Sequence, residues 1–329
     1  MLGLTPLAHA NSDCPGRDQL ALLKNSDPAL YDKLDREAAA IPGGESVFWR
    51  IDPPNGEQPS WLLGTVHLSD IRVLDLPAHV IEAIDSSEII AVESVYGDKQ
   101  GKQARAFFGS ARFLVLPVGS TIFGLLGEKD SRRFQELVSG VGLDPASFTS
   151  MTPWLVAFSV AYSRCETERR MRGLLALDDF IADSAHSRSI EPSYLEDAPK
   201  VAELMASVSL DDQVAVLREI IDLMSGINDW TETSIAAWQS ERPARLYTYM
   251  LHLIAGPPDS TAAWRRMEDV LVRQRNEAMF ARARNFVDRG PAFLSAGYFH
   301  LFGEHGLVEK FRNAGYRMTP IGLKVETAK

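Results

Sequence analysis

Residues 61–93 read WLLGTVHLSDIRVLDLPAHVIEAIDSSEIIAVE, and this stretch decides the fold. Trp61-Leu62-Leu63 is a short apolar run leading into Gly64-Thr65-Val66-His67, a pattern that predicts a buried strand with a histidine where it ends. Leu76-Pro77 opens a helix with Val80, Ile81 and Ile84 on one face, and Asp85-Ser86-Ser87 closes it. Glu88-Ile89-Ile90-Ala91-Val92-Glu93 is then a second buried strand. Strand, helix and strand in about thirty residues make a βαβ unit, whose strands run parallel by the right-handed crossover rule. His67 and Glu93 are therefore expected to end adjacent strands on one edge of the sheet. In open α/β sheets that carboxyl edge is where ligands bind.

Working outward, the same tetrapeptide pattern recurs near the other end of the chain. Phe293-Leu294-Ser295-Ala296 runs into Gly297-Tyr298-Phe299-His300, a second strand ending in Gly-x-x-His. Val47–Ile51 and Trp61–Val66 flank the turn cluster Asp52-Pro53-Pro54-Asn55-Gly56 and predict a β-hairpin. Arg17–Ala40 reads as helical, split at Asp27-Pro28. Residues 100–255 are mostly helical, broken at Pro117, Gly140–Asp144, Pro153 and Glu191-Pro192. Ala262–Arg289 reads as one long charged helix, Gly306–Ala314 as a shorter one, and Tyr316–Ile321 as a last strand. The expectation is an α/β fold: a mixed β-sheet built from both ends of the chain, with a large helical insertion or cap over about 100–255. The organisation expected is a signal-like segment at 1–10, a helical arm at 11–44 and a single α/β domain at 45–329.

The formal charge of −10, from 34 Lys and Arg against 44 Asp and Glu, argues against a nucleic-acid partner, which needs a clustered basic surface. The local cluster Arg164, Arg169, Arg170 and Arg172 is interrupted by Glu166 and Glu168 and reads as a solvated helix face with surface ion pairs. No stretch approaches the ~18–20 apolar residues of a membrane-spanning helix, so an integral membrane protein is not expected. Leu2-Gly3-Leu4-Thr5-Pro6-Leu7 followed by Ala8-His9-Ala10 looks like the tail of a secretory signal, with a polar mature start at Asn11. This predicts a periplasmic or secreted protein. Cys14 and Cys165 would form one disulfide in an exported protein and be spare thiols in a cytosolic one, and they lack CxxC spacing for a metal.

Hydrolytic zinc or manganese sites use a few His and Asp/Glu ligands with an open position for water, whose pKa the metal lowers so that a nearby carboxylate can take the proton. His67, Glu93 and His300 supply that minimum, for a divalent metal such as Mn, Co or Zn. Gly64 and Gly297, each three residues before its histidine, would let a neighbouring backbone or ligand approach where the strand leaves the sheet. Asp70 is expected to orient His67 through the second ring nitrogen. No Walker loop, GxGxxG, Gly-x-Ser-x-Gly or HExxH competes with this site. His186, His252 and His305 read as surface or packing residues. No residue is expected to bind an organic cofactor.

On these motifs the chain resembles the TraB/TIKI family, also called GumN-like, and within it the exported bacterial branch. The resemblance covers most of the chain after residue 45. It rests on Gly64-Thr65-Val66-His67, the strand ending in Glu93, Met151-Thr152-Pro153-Trp154 and Leu177-Asp178 followed by Ala185. Leu195-Glu196, Gln213, Arg275-Asn276 and Gly297-Tyr298-Phe299-His300-Leu301-Phe302-Gly303-Glu304 complete it, and Cys14 and Cys165 look like features of the bacterial branch. The resemblance implies a peptidase-like, metal-dependent hydrolase acting on a peptide or other small substrate, on a fold shared with erythromycin-esterase-like and ChaN-like proteins. By that resemblance His67, Glu93 and His300 hold the metal, Glu93 and Glu196 act in catalysis, and Arg275 contacts a carboxylate or other anion while Asn276 is structural. The alternative is a non-catalytic metal- or haem-binding protein, or a polysaccharide-export accessory, on the same scaffold.

Overall fold

The structure, a computed structural model, describes residues 14–56, 58–93, 102–254 and 258–324. The signal-like segment 1–10 lies outside them. The strands are β1 (Phe48–Asp52), β2 (Ser60–Thr65), β3 (Ile89–Val92), β4 (Ser193–Tyr194), β5 (Ala292–Gly297) and β6 (Arg317–Pro320). Among the described residues these six form one mixed sheet in the order β4-β3-β5-β2-β1-β6. β1 pairs antiparallel with β2 and β6, while β4, β3, β5 and β2 are parallel neighbours. The sheet thus draws five of its strands from the two ends of the chain and β4 from the middle, and helices make up most of the rest.

One expectation about the topology is corrected. β2 and β3 are parallel but not adjacent, because β5 lies between them with Leu62 opposite Leu294 and Ile90 opposite Phe293. The reason is written in β5 itself: Ala292–Gly297 is buried at every position, as only a strand covered on both faces and paired on both edges can be. The second Gly-x-x-His is therefore inserted between His67 and Glu93.

Alternate residues of each strand face opposite sides. Phe48, Leu63, Ile90, Val92 and Phe293 pack on one face against helices Ala78–Ser86, Leu177–Ser187 and Ile227–Gln239. Trp49, Ile51, Leu62, Ala91, Leu294 and Ala296 pack on the other, against Arg275–Val287 and Leu307–Asn313. The helical middle has apolar clusters of its own, around Trp154, Val216 and Met267 and around Ile122, Phe134 and Leu217. The two-residue strand β4, which the sequence pattern does not announce, returns this middle to the sheet edge beside Ala91 and Val92.

The expected continuous helix over 262–289 is instead three pieces: Pro258–Glu268, a π-helical segment Asp269–Gln274, and Arg275–Val287. The first buries Met267 in the cap and the last buries Met279, Ala283 and Val287 against the sheet. A π segment re-phases one helix so that it can serve both surfaces.

At the N-terminus, Asp27 caps helix Pro28–Ala39 through the Leu30 N–H, which accounts for the break at Asp27-Pro28. A Cys14–Cys165 disulfide, with Cα atoms 5.8 Å apart, ties this arm to helix Arg164–Met171. No helix of the described residues is long and apolar enough to cross a membrane.

Candidate active site

Four neighbouring parallel strands end at one edge of the sheet, and each delivers a polar residue just past its end. His67 follows β2, Glu93 follows β3, Glu196 follows β4 and His300 follows β5. Glu93 is the hub. Its Oε2 accepts the Gly297 N–H at 2.6 Å, and its Oε1 accepts from Arg275 Nη2 at 2.5 Å. His67 Nε2 lies 3.8 Å from Oε2, and His300 Nε2 lies 3.6 Å from Oε1. Arg275 also donates to both oxygens of Glu196, from Nε at 2.7 Å and Nη2 at 2.8 Å. Glu93, Glu196, Arg275 and His300 are all buried, whereas the His67 side chain is 47% exposed, so solvent reaches the cluster from the β2 side.

Each histidine is held by its far nitrogen. His67 Nδ1 lies 2.6 Å from Asp178 Oδ2, and Asp178 Oδ1 accepts from Thr65 Oγ1 at 2.6 Å. His300 Nδ1 lies 2.7 Å from Asn276 Oδ1. The Asn276 amide nitrogen donates to the carbonyls of His300 and His305, so its oxygen must face the ring and His300 Nδ1 must carry the proton. His300 Nε2 is thereby left with its lone pair toward Glu93, whereas His67 faces Glu93 and Asp178 with its two nitrogens and is held in the protonated form.

Asp178 replaces Asp70 in the role expected from sequence. Asp70 instead caps the short helix Ile71–Leu74 through the Arg72 N–H and is paired by Arg72 and Arg169. Three residues beyond His67 the chain has already turned into that helix, whose first N–H groups claim the carboxylate. Asp178 comes from the first turn of helix Leu177–Ser187, and only the tertiary fold brings it to His67. Its one trace in the sequence is the Leu177-Asp178 landmark.

The Arg164–Arg172 cluster also differs from a solvated face. Glu166 is fully buried, accepts the Ser69 N–H at 2.9 Å and pairs with Arg170 at 3.0 Å. Arg170 in turn donates to the His67 carbonyl at 2.5 Å. Arg164 and Glu168 do pair on the surface. The helix grips the loop after β2 because it is amphipathic in charge rather than in hydrophobicity. Glu191 is exposed near His186, whereas Glu196 is buried and paired with Arg275.

At both strand ends glycine sits where a Cβ would crowd its neighbours. A Cβ on Gly64 would lie 2.8 Å from Leu301 Cδ2 and 3.0 Å from Tyr298 Cβ. One on Gly297 would lie 3.0 Å from His67 Nε2 and 3.2 Å from Glu93 Oε2, inside the space between the candidate ligands.

The electrostatics separate the groups. Burial opposes ionisation of Glu93, but the charges of His300 when protonated, of Arg275 and of His67, with the Gly297 N–H, hold it well below the usual carboxylate range. Burial outweighs Arg275 at Glu196 and raises it. At His67 burial is overcome by the charge and hydrogen bond of Asp178 and by Glu93, and the imidazole is raised to about 9. At His300 burial dominates, aided by Arg275 and His67, and the imidazole is lowered to about 3.

Among the described residues no three His, Cys, Asp or Glu side chains form a ready metal cage. The donor chemistry nonetheless fits a divalent cation. Two imidazole nitrogens and a carboxylate are the donor types of such sites, and each Nε2 lies near one oxygen of Glu93, His300 at 3.6 Å from Oε1 and His67 at 3.8 Å from Oε2. An imidazole whose other N–H is fixed by a carboxylate or amide oxygen is the usual form of a metal-binding histidine.

Residues 47–320 match the model of the TraB/PrgY/gumN family. The chain is also 22% identical to "Uncharacterized protein YbaP" of Shigella flexneri, over 83% of this chain and 96% of that protein. No solved structure matches.

Proposed function

The chain belongs to the TraB/PrgY/gumN family, and from that premise we propose that it is an exported, metal-dependent hydrolase acting on peptides. One observation carries the reading: two imidazole Nε2 atoms face the same buried glutamate, each ring fixed at Nδ1 by an oxygen acceptor. His67, His300 and Glu93 would hold a divalent cation of the Zn, Mn or Co kind. When bound, such a cation acidifies water and polarises a carbonyl. Glu93, kept ionised, is suited to ligand duty and is too weakly basic for a proton acceptor, whereas Glu196, raised by burial, is suited to moving a proton. The exposed side of His67 gives the substrate its approach. Peptide as substrate class comes from the resemblance to TIKI-like proteins, as does the erythromycin-esterase/ChaN-like scaffold. The Cys14–Cys165 disulfide supports export, since such bonds persist in oxidising compartments.

Elemental analysis and calorimetry of chelator-treated protein reloaded with Mn²⁺, Zn²⁺ or Co²⁺ test this directly. One metal per chain is expected for the wild type, lost in His67→Ala and in His300→Ala while both stay folded. Full occupancy in both variants would sink the assignment.

A second reading is a non-catalytic metal- or haem-binding protein, or a polysaccharide-export accessory. It is favoured by Glu93 being already engaged by Arg275 and Gly297. A Soret band on the purified protein, lost in one histidine variant, would select the haem branch.

A further inference from the structure

The guanidinium of Arg275 sits between two buried carboxylates that come from different strand ends. It reaches Glu93 with Nη2 and Glu196 with Nε and Nη2, and its Nη1 donates to the Leu271 carbonyl at 3.3 Å. Leu271 belongs to the π-helical segment Asp269–Gln274, which immediately precedes Arg275. Two buried carboxylates this close are costly without a counter-charge. Arg275 supplies that charge from within the chain, at the same Glu93 oxygen that faces His300 Nε2.

We infer that Arg275 is an internal counter-cation that competes with a divalent metal for Glu93, so that metal loading releases Arg275 from Glu93 while it stays on Glu196. This rests on the metal-dependent reading above and adds to it a gating residue. The geometry allows the transfer because Glu196 already accepts from both Nε and Nη2, so Arg275 keeps a bidentate partner when Glu93 is released. The π segment gives the helix a place to adjust, as such segments do at functional sites. A cation and a guanidinium drawn to the same carboxylate oxygen repel each other, so each weakens the other's hold on Glu93.

The test is a double-mutant cycle on metal affinity, read by competition with a chromophoric chelator using Zn²⁺ or Mn²⁺ alone, together with thermal melts in chelator and in metal. Arg275→Gln is expected to bind metal about tenfold or more tightly than the wild type. It should also melt lower in chelator and regain a larger increment on metal addition. Glu196→Gln removes the charge of one of the two carboxylates, shifts Arg275 toward Glu93 and is expected to weaken metal binding. The double variant should recover the affinity of Arg275→Gln. Unchanged or weaker binding by folded Arg275→Gln overturns the inference, as does a double variant as weak as Glu196→Gln, which would make Glu196 itself a ligand. Should Arg275→Gln fail to fold in chelator, Arg275→Lys carries the comparison, with an increase in affinity again required. Absence of metal binding by wild type and every variant is a different result, and it removes the metal-dependent reading itself.

Discussion

At the scale of single residues, the second nitrogen of each histidine carries the site. Asp178→Asn keeps an oxygen for His67 Nδ1 but removes the negative charge that raises the imidazole. Loss of such a partner weakens metal binding about 10–100-fold, and calorimetric titration of the variant is expected to show a fall of that size with the fold intact. Asn276 is different in kind. It serves His300 and two carbonyls at once, so Asn276→Ala strands several buried polar groups. A cost of about 3 kcal/mol, from 1–3 for each unsatisfied group, should appear in urea unfolding. Gly297→Ala separates site from stability. Its backbone, at φ −49° and ψ 133°, suits alanine, yet the new Cβ would press on His67 Nε2. Metal binding should fall sharply while the melting temperature moves by only a few degrees; an unchanged affinity would mean that the ring can yield. The two Gly-x-x-His motifs and Glu93 are legible in sequence because strand periodicity and parallel crossover place strand ends without side-chain detail. Asp178 is not, because its nearness to His67 depends on packing 111 residues away.

At the scale of elements, the hairpin, the βαβ unit and the split N-terminal helices are written in turn clusters, caps and period, all of them local signals. The insertion of β5 between β2 and β3 is a long-range pairing, and only its lack of charged residues, with Ser295 the one polar side chain, hints at a central place. The π segment hides because its effect is a shift of phase within an otherwise helical pattern. Helix Arg164–Met171 shows how charge misleads: the same residues read as a solvated face, yet Glu166 and Arg170 hold the Ser69 N–H and the His67 carbonyl. The Cys14–Cys165 disulfide begins one residue before Glu166, so the arm, this helix and the His67 loop are mechanically in series. Paired Cys14→Ser and Cys165→Ser replacement is expected to cost about 2–5 kcal/mol of stability, measured by denaturant unfolding under oxidising conditions. The wild type with reductant should match the variant; a wild type insensitive to reductant would show that the bridge contributes nothing to stability.

At the scale of the molecule, one edge of one sheet gathers charge that the rest of the fold must tolerate, and this sets how stability follows pH. His67 has its folded pKa raised from 6.5 to about 9. It therefore stabilises the metal-free protein fully below pH 6.5, and that contribution is lost as pH rises toward 9. His300, lowered to about 3, works in the opposite sense: the unfolded chain takes up its proton first, so stability falls as pH drops from 6.5 toward 3. Asp70 adds to the acid side. Although burial works against its ionised form, the hydrogen bonds of Arg72 and the charge of Arg169 lower it to about 2, and its stabilisation disappears as pH falls below 3.8. Asp179 opposes that trend, since burial and the charge of Asp178 raise it to about 6 and its ionisation between pH 3.8 and 6 costs stability. The melting temperature in chelator is therefore expected to peak near pH 6 and to decline between 6.5 and 9. Asp178→Asn tests the alkaline limb, because it removes the charge that does most to keep His67 protonated above neutrality and leaves only that of Glu93. A variant whose alkaline decline is as steep as the wild type's would place the titrating group elsewhere in the fold. A flattened limb would tie the stability of the whole molecule to one hydrogen bond at the sheet edge, and adding a metal that occupies His67 should flatten the wild-type curve in the same pH range.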